Sequence, residues 1–195
     1  MVNQEDPRVL RTRQLIREAF RELLQIKGFD AITIKDIAQR ATLNRATFYT
    51  HYVDKYALLE EITEEAFHKM IPEQVENAQE FTAEVCAELI LMTHRYIVDF
   101  YRICRVDSKS IATLVNEKIK SMLQQIIESI FSKGNNHPIV ERQHTKIISA
   151  MTGSAIYAAA YEWLTVGEID RTDLLVDIVR PYVMNGLGLS QSLRE

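Results

Sequence analysis

The chain has 195 residues, of which 47% are hydrophobic and 26% are charged, a composition typical of a soluble globular protein and not of a disordered one. Only six glycines and four prolines are present, which favours long helices over a turn-rich β architecture. The net charge of −4 is unevenly divided, because residues 1–55 hold 10 basic and 7 acidic side chains while the remainder hold 13 and 20. This asymmetry indicates that a polyanion would bind at the N-terminal end.

The two cysteines and the longest uncharged stretch bear on the compartment. Cys86 and Cys104 lie 18 residues apart in one predicted helix, a rise of roughly 27 Å, whereas a disulfide needs Cα atoms within about 7 Å. We therefore expect two reduced thiols. The uncharged stretch, 147–161, is shorter than the roughly 20 apolar residues of a membrane span, and the N-terminus is polar. These features predict a cytoplasmic protein with no membrane segment.

Apolar residues recur at helical spacing along the N-terminal third of the chain. The first predicted helix covers 7–27, with Gly28 as its C-cap. Thr33, followed three residues later by Asp36, has the pattern of a capping box for a short second helix. Asn44 is a candidate N-cap for a third helix over 45–52. Two short amphipathic helices joined by a three-residue turn predict a helix-turn-helix unit.

The remaining segments are also predicted to be helical. Asp54 is a candidate cap for a fourth helix that ends before Pro72. Further helices are expected over about 81–105, 109–133, 139–166 and 172–188. The predicted fold class is therefore all-α.

The segment from Thr33 to Leu59 resembles the TetR (tetracycline repressor) family of DNA-binding regulators. The matching elements, in chain order, are Thr33, the pair Ile37-Ala38, the run Thr47-Phe48-Tyr49-Thr50-His51-Tyr52, and Lys55 with Leu58-Leu59. The resemblance implies a helix-turn-helix DNA-binding domain of three helices at 1–53 and a helical effector-binding and dimerisation domain at 54–195. There is one departure, because Thr42 stands where the family's turn usually has glycine. A positive φ at that position would strain a β-branched residue.

The polar face of the third helix carries most of the predicted DNA contacts. Arg45, at its start, is expected to read a base, because a bidentate arginine to guanine is the commonest specific contact. Side chains such as Tyr49 and His51 are expected to contact phosphate or a thymine methyl group, and Lys55 to contact the phosphate backbone. The full predicted set is Thr33, Lys35, Asn44, Arg45, Ala46, Thr47, Tyr49, Thr50, His51 and Lys55. The alternatives are that Tyr49 is partly buried and that His51 pairs within the fold.

Beyond residue 60 the resemblance implies a homodimer interface formed by about 139–188. The first helix of this region is rich in small residues, which allow close helix packing. The alternative is that it serves as the central helix of its own domain. The family also implies a small-molecule effector, whose pocket we place on or near the 81–105 helix, since that helix is apolar nearly all round. The candidate pocket residues are Met92, His94, Tyr96, Tyr101, Met122 and Tyr157. A core histidine and gap-filling methionines are the alternative interpretation.

The predicted function is that of a ligand-released repressor, which binds double-stranded DNA at a palindromic operator as a homodimer. Ligand would stabilise an arrangement of the helical body with lower operator affinity. An enzyme is not predicted, because the sequence has no Gly-rich phosphate loop, nucleophile elbow or His-Glu-x-x-His pattern. No catalytic residue, cofactor or metal site is predicted. Two alternatives stay open: a helical adaptor without operator binding, and an activator.

Overall fold

The computed structural model describes residues 6–104, 109–133, 142–167 and 169–189, and every regular element in these ranges is a helix. This confirms the all-α prediction. The elements are α1 (Pro7–Ile26), a 3-10 turn at Phe29–Ala31, α2 (Ile34–Arg40), α3 (Arg45–His51), α4 (Lys55–Lys69), α5 (Glu73–Glu76), α6 (Ala83–Cys104), α7 (Lys109–Lys133), α8 (Arg142–Val166) and α9 (Thr172–Gly186). The short α5 was not predicted, and residues 139–141 of the predicted 139–166 helix lie outside the described ranges.

The described residues fall into two compact units. The first unit comprises those within 1–65 and 100–115, and the second comprises those within 66–99 and 116–195. The chain therefore returns to the first unit at the end of α6 and the start of α7. Ile111 and Val115, on the returning part of α7, are both buried. The functional boundary at 53 and 54 stays a prediction.

α1 forms because its ends are capped and one of its faces is apolar. Asp6 accepts a hydrogen bond from the Arg8 amide at 2.8 Å, and proline occupies the first helical position. The buried stripe is Ile16, Ala19, Phe20, Leu23 and Leu24, whereas the neighbouring Leu15 is 38% exposed. The predicted C-cap at Gly28 is wrong, because Lys27 closes the helix in an extended conformation. The chain leaves α1 without a left-handed residue.

The second unit is built around α6, as its apolar composition predicts. From its first turn to Phe100, the exposed positions of α6 are Glu84, Arg95 and Asp99, and the other positions are buried or half-buried. Cys86 lies in this core as a free thiol, and burial raises its pKa to about 12, so that it is unreactive at neutral pH. No helix in the described ranges combines the length and apolar character that crossing a bilayer requires.

A glycine sets the distance between α7 and α8 within the second unit. A Cβ atom placed on Gly153 would lie 3.1 Å from the Gln124 amide nitrogen and 3.2 Å from the Leu123 Cβ atom. Contacts this short show that the α8 backbone packs directly on α7 at this point. Gly153, one of the small residues that α8 was expected to use at a dimer interface, therefore serves packing between two helices of one chain.

Candidate nucleic-acid interface

The helix-turn-helix begins with a complete capping box. The Thr33 hydroxyl accepts a hydrogen bond from the Asp36 amide at 3.2 Å, and the Asp36 carboxylate accepts one from the Thr33 amide at 2.8 Å. Lys27 also contacts this carboxylate at 2.9 Å, and these contacts lower the pKa of Asp36 well below its usual range, with the Lys27 hydrogen bond as the largest cause. Thr33 and Lys35 are both exposed at the start of α2. Their exposure is compatible with the phosphate contacts predicted for them.

The turn between α2 and α3 is a Schellman motif with threonine in the left-handed position. The Leu43 amide donates to the Ala38 carbonyl at 2.8 Å and the Thr42 amide donates to the Gln39 carbonyl at 3.1 Å. This pair of hydrogen bonds needs a positive φ at the residue after the helix, and Thr42 has φ of +57°. Thr42 therefore adopts the left-handed conformation that glycine favours, at the cost of local strain.

α3 is a capped helix with one buried face and one exposed face. Asn44 caps it by accepting a hydrogen bond from the Ala46 amide at 3.0 Å. Phe48 is fully buried and Tyr52 is 4% exposed, so both fix the helix against the unit's core. The predicted contact residues on the other face divide into the exposed Asn44, Arg45, Ala46, Tyr49 and Thr50 and the half-buried Thr47 and His51.

Tyr49 was expected either to contact DNA or to be partly buried, and its exposure bears on both interpretations. Its side chain is 52% exposed, and its ring meets Phe48 edge to face at 5.7 Å. About half of Tyr49 is therefore open to solvent and available for a contact, while its ring packs against Phe48. His51 is different, because partial burial and the nearby charge of Arg13 lower its pKa. At neutral pH it presents an uncharged imidazole at the end of α3.

Glutamates on α4 fix α1 and the end of α3 in position. Glu61 pairs with Arg13, lies 3.1 Å from a guanidinium nitrogen of Arg17, and accepts a hydrogen bond from the Tyr52 hydroxyl at 3.0 Å. Glu65 adds a pair with Arg21 at 2.9 Å. The four-residue spacing of the three arginines was visible in the sequence, but their partners, more than 40 positions away, were not. This network stabilises the orientation of α3.

Lys55 has a role different from the phosphate contact predicted for it. Its ammonium donates to the backbone carbonyls of Phe29 at 3.0 Å, Asp30 at 3.3 Å and Ile32 at 2.8 Å. It also lies 4.4 Å from the centre of the Phe29 ring, and burial lowers its pKa. A lysine has three donors, and all three are used within the chain. Lys55 therefore joins the start of α4 to the segment before α2.

The six candidate pocket residues are divided between the two units. Met92, His94, Tyr96, Met122 and Tyr157 are buried in the second unit, whereas Tyr101 is half-buried in the first. Tyr96 packs on Phe67 with ring centres 5.1 Å apart. Of the six, only His94 lines a cavity of about 200 Å³ beside α6, whose other lining residues include Leu91, Val98 and Ile169.

Comparisons with known proteins agree with this geometry. Residues 16–62 match the family model described as bacterial regulatory proteins, tetR family. The chain is 39% identical over 69 residues to YxbF, an uncharacterized HTH-type transcriptional regulator of Bacillus subtilis strain 168, covering 35% of this chain and 18% of YxbF. It is 35% identical over 60 residues to DhaS, the dhaKLM operon transcriptional activator of Lactococcus lactis strain IL1403, covering 31% of this chain and 32% of DhaS. Each match thus spans a minor part of the relative.

The solved structures extend the likeness to the whole fold. A TetR transcriptional regulator from Streptococcus agalactiae 2603V has a TM-score of 0.58 at 18% identity, covering 92% of this chain and 97% of that one. The matched segment and the capped, outward-facing α3 define a helix-turn-helix domain of the kind found in transcription regulators. More specifically, residues 16–62 match the TetR type of this domain, and the fold is similar to that of a solved TetR transcriptional regulator.

Proposed function

We propose that the chain represses transcription by binding a palindromic operator as a homodimer and leaves the operator when a small effector binds. One observation carries the DNA-binding part of this proposal. The outer face of α3 is exposed and polar, and Arg45 in its first turn has no hydrogen bond or ion pair with any residue of the described ranges. An unengaged guanidinium at the N-terminal end of a groove-sized helix is well suited to base readout.

The proposed DNA contacts differ in kind along the helix-turn-helix. Arg45 reads a base edge, whereas Thr33 and Lys35 contact the phosphate backbone from the start of α2. Tyr49 supplies a hydroxyl and an aromatic edge from the exposed side of α3. The remaining contacts are assigned to Asn44, Ala46, Thr47, Thr50 and His51. Lys55 acts as a positioning residue and does not touch DNA.

The matching experiment is a mobility-shift titration with the promoter next to the chain's own gene and with a shuffled duplex. Arg45→Ala should weaken cognate binding by about 1–3 kcal/mol and reduce discrimination between the two duplexes. Arg40→Ala is the matched control, since its guanidinium is already paired with Glu22. Unchanged cognate affinity of Arg45→Ala would contradict the assignment.

A homodimer through α8 and α9 is supported by apolar side chains left open to solvent in the second unit. On α8, Ile147 is 60% and Met151 is 67% exposed, and on α9, Ile178 is 56% and Tyr182 is 72% exposed. Their spacing of four residues places each pair on one side of its helix. Large exposed apolar side chains grouped in this way are typical of a protein–protein interface.

Sedimentation velocity tests the dimer directly. Tyr182→Asp should shift the protein from dimer to monomer, because a carboxylate would be buried at the interface, and operator binding should weaken with it. Ile26→Asp is the control, since this exposed isoleucine lies on α1 in the first unit. A wild-type monomer at micromolar concentration, with DNA present, would contradict the proposal.

The sign of regulation needs a transcription assay, because the relative DhaS is named an activator. Repression is proposed here because a dimer seated on a promoter excludes polymerase by occupancy alone. Purified protein should reduce transcript from its own promoter in vitro. More transcript on addition of protein would favour the activator alternative.

A further inference from the structure

The C-terminal end of α3 is joined to α4 by a side-chain hydroxyl. The Tyr52 hydroxyl donates a hydrogen bond to the Glu61 carboxylate at 3.0 Å. Within the described ranges, this is the one side-chain hydrogen bond that connects α3 or its C-cap residue to another helix. Phe48 also anchors α3 and is fully buried, but its contacts are apolar and apolar attraction has no direction. The hydroxyl of Tyr52 therefore supplies the directional contact of the helix.

Charged groups of α1 hold the acceptor of this hydrogen bond in place. Glu61 pairs with Arg13 and lies 3.1 Å from a guanidinium nitrogen of Arg17. The Arg13 guanidinium also lies 4.9 Å from the centre of the Tyr52 ring, within cation–π distance. Burial, followed by the charge of Glu61, raises the pKa of Tyr52 above its ordinary value. The hydroxyl therefore keeps its proton at neutral pH and remains a donor to Glu61.

The position of Phe48 within α3 relates a movement at Tyr52 to a movement at Arg45. Phe48 is three residues from Arg45 and four residues from Tyr52, which corresponds to roughly 4.5 Å and 6 Å along the helix axis. When the helix tilts about Phe48, a shift of about 1 Å at Tyr52 moves Arg45 by about 0.75 Å in the opposite direction. Binding groups must be held within about 0.5 Å of their productive geometry. A tilt of this size is therefore sufficient to impair a base contact by Arg45.

We propose that Glu61 is a positioning residue for sequence discrimination, which holds the Tyr52 hydroxyl and thereby fixes the tilt of α3. The effect on discrimination rests on the proposed DNA binding by α3, whereas the orientation of α3 can be measured without DNA. Attraction to phosphate groups is independent of sequence and acts over a longer range than a base contact. Loss of the Tyr52–Glu61 contact should therefore affect the operator more than an unrelated duplex.

The first experiment measures binding to the promoter duplex and to its shuffled counterpart at one salt concentration, because both affinities depend on salt. Tyr52→Phe removes the hydroxyl and keeps the ring, so it should weaken promoter binding about threefold to tenfold and leave binding to the shuffled duplex unchanged. Tyr56→Phe is the matched control, since it makes the same chemical change on α4, at a ring that packs on Phe29, and it should change neither affinity. Unchanged promoter binding by Tyr52→Phe, or equal losses on both duplexes, would overturn the positioning role.

The second experiment removes the acceptor. Glu61→Ala should lower the ratio of the two affinities, because promoter binding weakens while the arginines released on α1 maintain or increase binding to any duplex. Glu61→Gln keeps an oxygen acceptor for the Tyr52 hydroxyl and should recover part of the ratio. Glu65→Ala is the matched control, since Glu65 pairs with Arg21 one turn further along α4. A loss of discrimination as large in Glu65→Ala, or none in Glu61→Ala, is the result that contradicts the proposal.

A double-mutant cycle tests whether Tyr52 acts through Arg45. In an Arg45→Ala background, Tyr52→Phe should produce little further change in the ratio of affinities, because the side chain that it positions is absent. If the losses from the two substitutions multiply, Tyr52 acts independently of Arg45 and the proposed connection between them is wrong.

The third experiment needs no DNA. Amide residual dipolar couplings report the orientation of a helix in solution, and in Tyr52→Phe those of residues 45–51 should change while those of α1 stay as in wild type. Unchanged couplings in α3 would overturn the positioning role. If the couplings of α3 do change, but the wild-type protein binds the promoter and shuffled duplexes equally, the proposed operator binding is wrong and the orienting contact stands.

Discussion

The two units hold their helices together by different means. In the first unit, short helices are connected by polar contacts: the capping box at Thr33, the glutamate–arginine network of α4, and the ammonium of Lys55 on three carbonyls. In the second unit, long helices pack through apolar surface and a close backbone approach at Gly153. The polar contacts of the first unit hold the short α3 in a fixed orientation. The packing of the second unit leaves a cavity beside α6 and exposed apolar side chains on α8 and α9.

The largest expected effect tests the polar connections of the first unit. Lys55→Met should destabilise this unit by about 2–3 kcal/mol, because three carbonyls lose a charged donor. The measurement is hydrogen exchange of the α3 amides, which report the first unit. Lys35→Met is the control and should stay within about 0.5 kcal/mol of wild type, since Lys35 is exposed. Equal protection in the two variants would contradict the structural role of Lys55.

The next effect tests close packing in the second unit. Gly153→Ala should destabilise it by about 1–3 kcal/mol, because the added methyl group meets the α7 backbone. Thermal unfolding followed by fluorescence of Trp163, the sole tryptophan of the chain, reports this unit. Gly186→Ala provides the contrast, as nothing lies within 4 Å of its added Cβ atom. A loss of stability as large in Gly186→Ala would mean that contact with α7 is not the cause.

A smaller effect, which is stabilising, is expected from removing the strain at Thr42 in the first unit. Thr42→Gly should stabilise it by about 0.5–1 kcal/mol, because glycine adopts the positive φ without strain while losing somewhat more backbone entropy. Denaturant midpoints are the appropriate measurement. Thr42→Ala, which keeps a Cβ atom, should recover less. A destabilised Thr42→Gly would show that the threonine side chain contributes more than its strain removes.

The smallest effect concerns pH and the second unit. The pKa of His94 is lowered in the folded state from an ordinary value of 6.5, so the unfolded chain binds the proton more readily. Stability from this group is present above the ordinary pKa and is lost as the pH falls below it. The midpoint of thermal unfolding, followed by Trp163 fluorescence, should therefore be lower in mildly acidic buffer than at neutral pH. In His94→Leu that dependence should be reduced, and an unchanged pH profile would remove His94 as its source.

The sequence predicted the first unit in more detail than the second. Caps at Thr33, Asn44 and Asp54 are local signals, readable because the side chain and the amide it caps are only two or three residues apart. The sequence showed that a positive φ would strain Thr42 but left open whether the turn avoids that conformation, and the structure shows that it does not. Contacts between distant segments were not foreseeable, and this is why Lys55 was assigned to phosphate when it binds carbonyls more than 20 residues away.

The second unit shows the same limit on a larger scale. The apolar pattern of α6 predicted its burial, but five of the six candidate pocket residues lie elsewhere than the cavity that His94 lines. That cavity depends on Ile169 approaching α6 across 70 or more positions of sequence. A run of apolar residues does not indicate which side chains face a void, because the void is set by how neighbouring helices pack.

Contacts within the first unit occupy many of its basic side chains, which limits the number available to contact phosphate groups. Among the described residues up to position 55, Arg13, Arg17, Arg21, Lys27, Arg40 and Lys55 are engaged within the chain. The basic side chains left for a duplex are Arg8, Arg11, Lys35 and Arg45. Each neutralised phosphate contributes about −0.9 to the slope of log affinity against log salt. If the proposed DNA binding is correct, we expect few condensed counterions to be released per subunit and discrimination between sequences to depend on base contacts more than on bulk attraction.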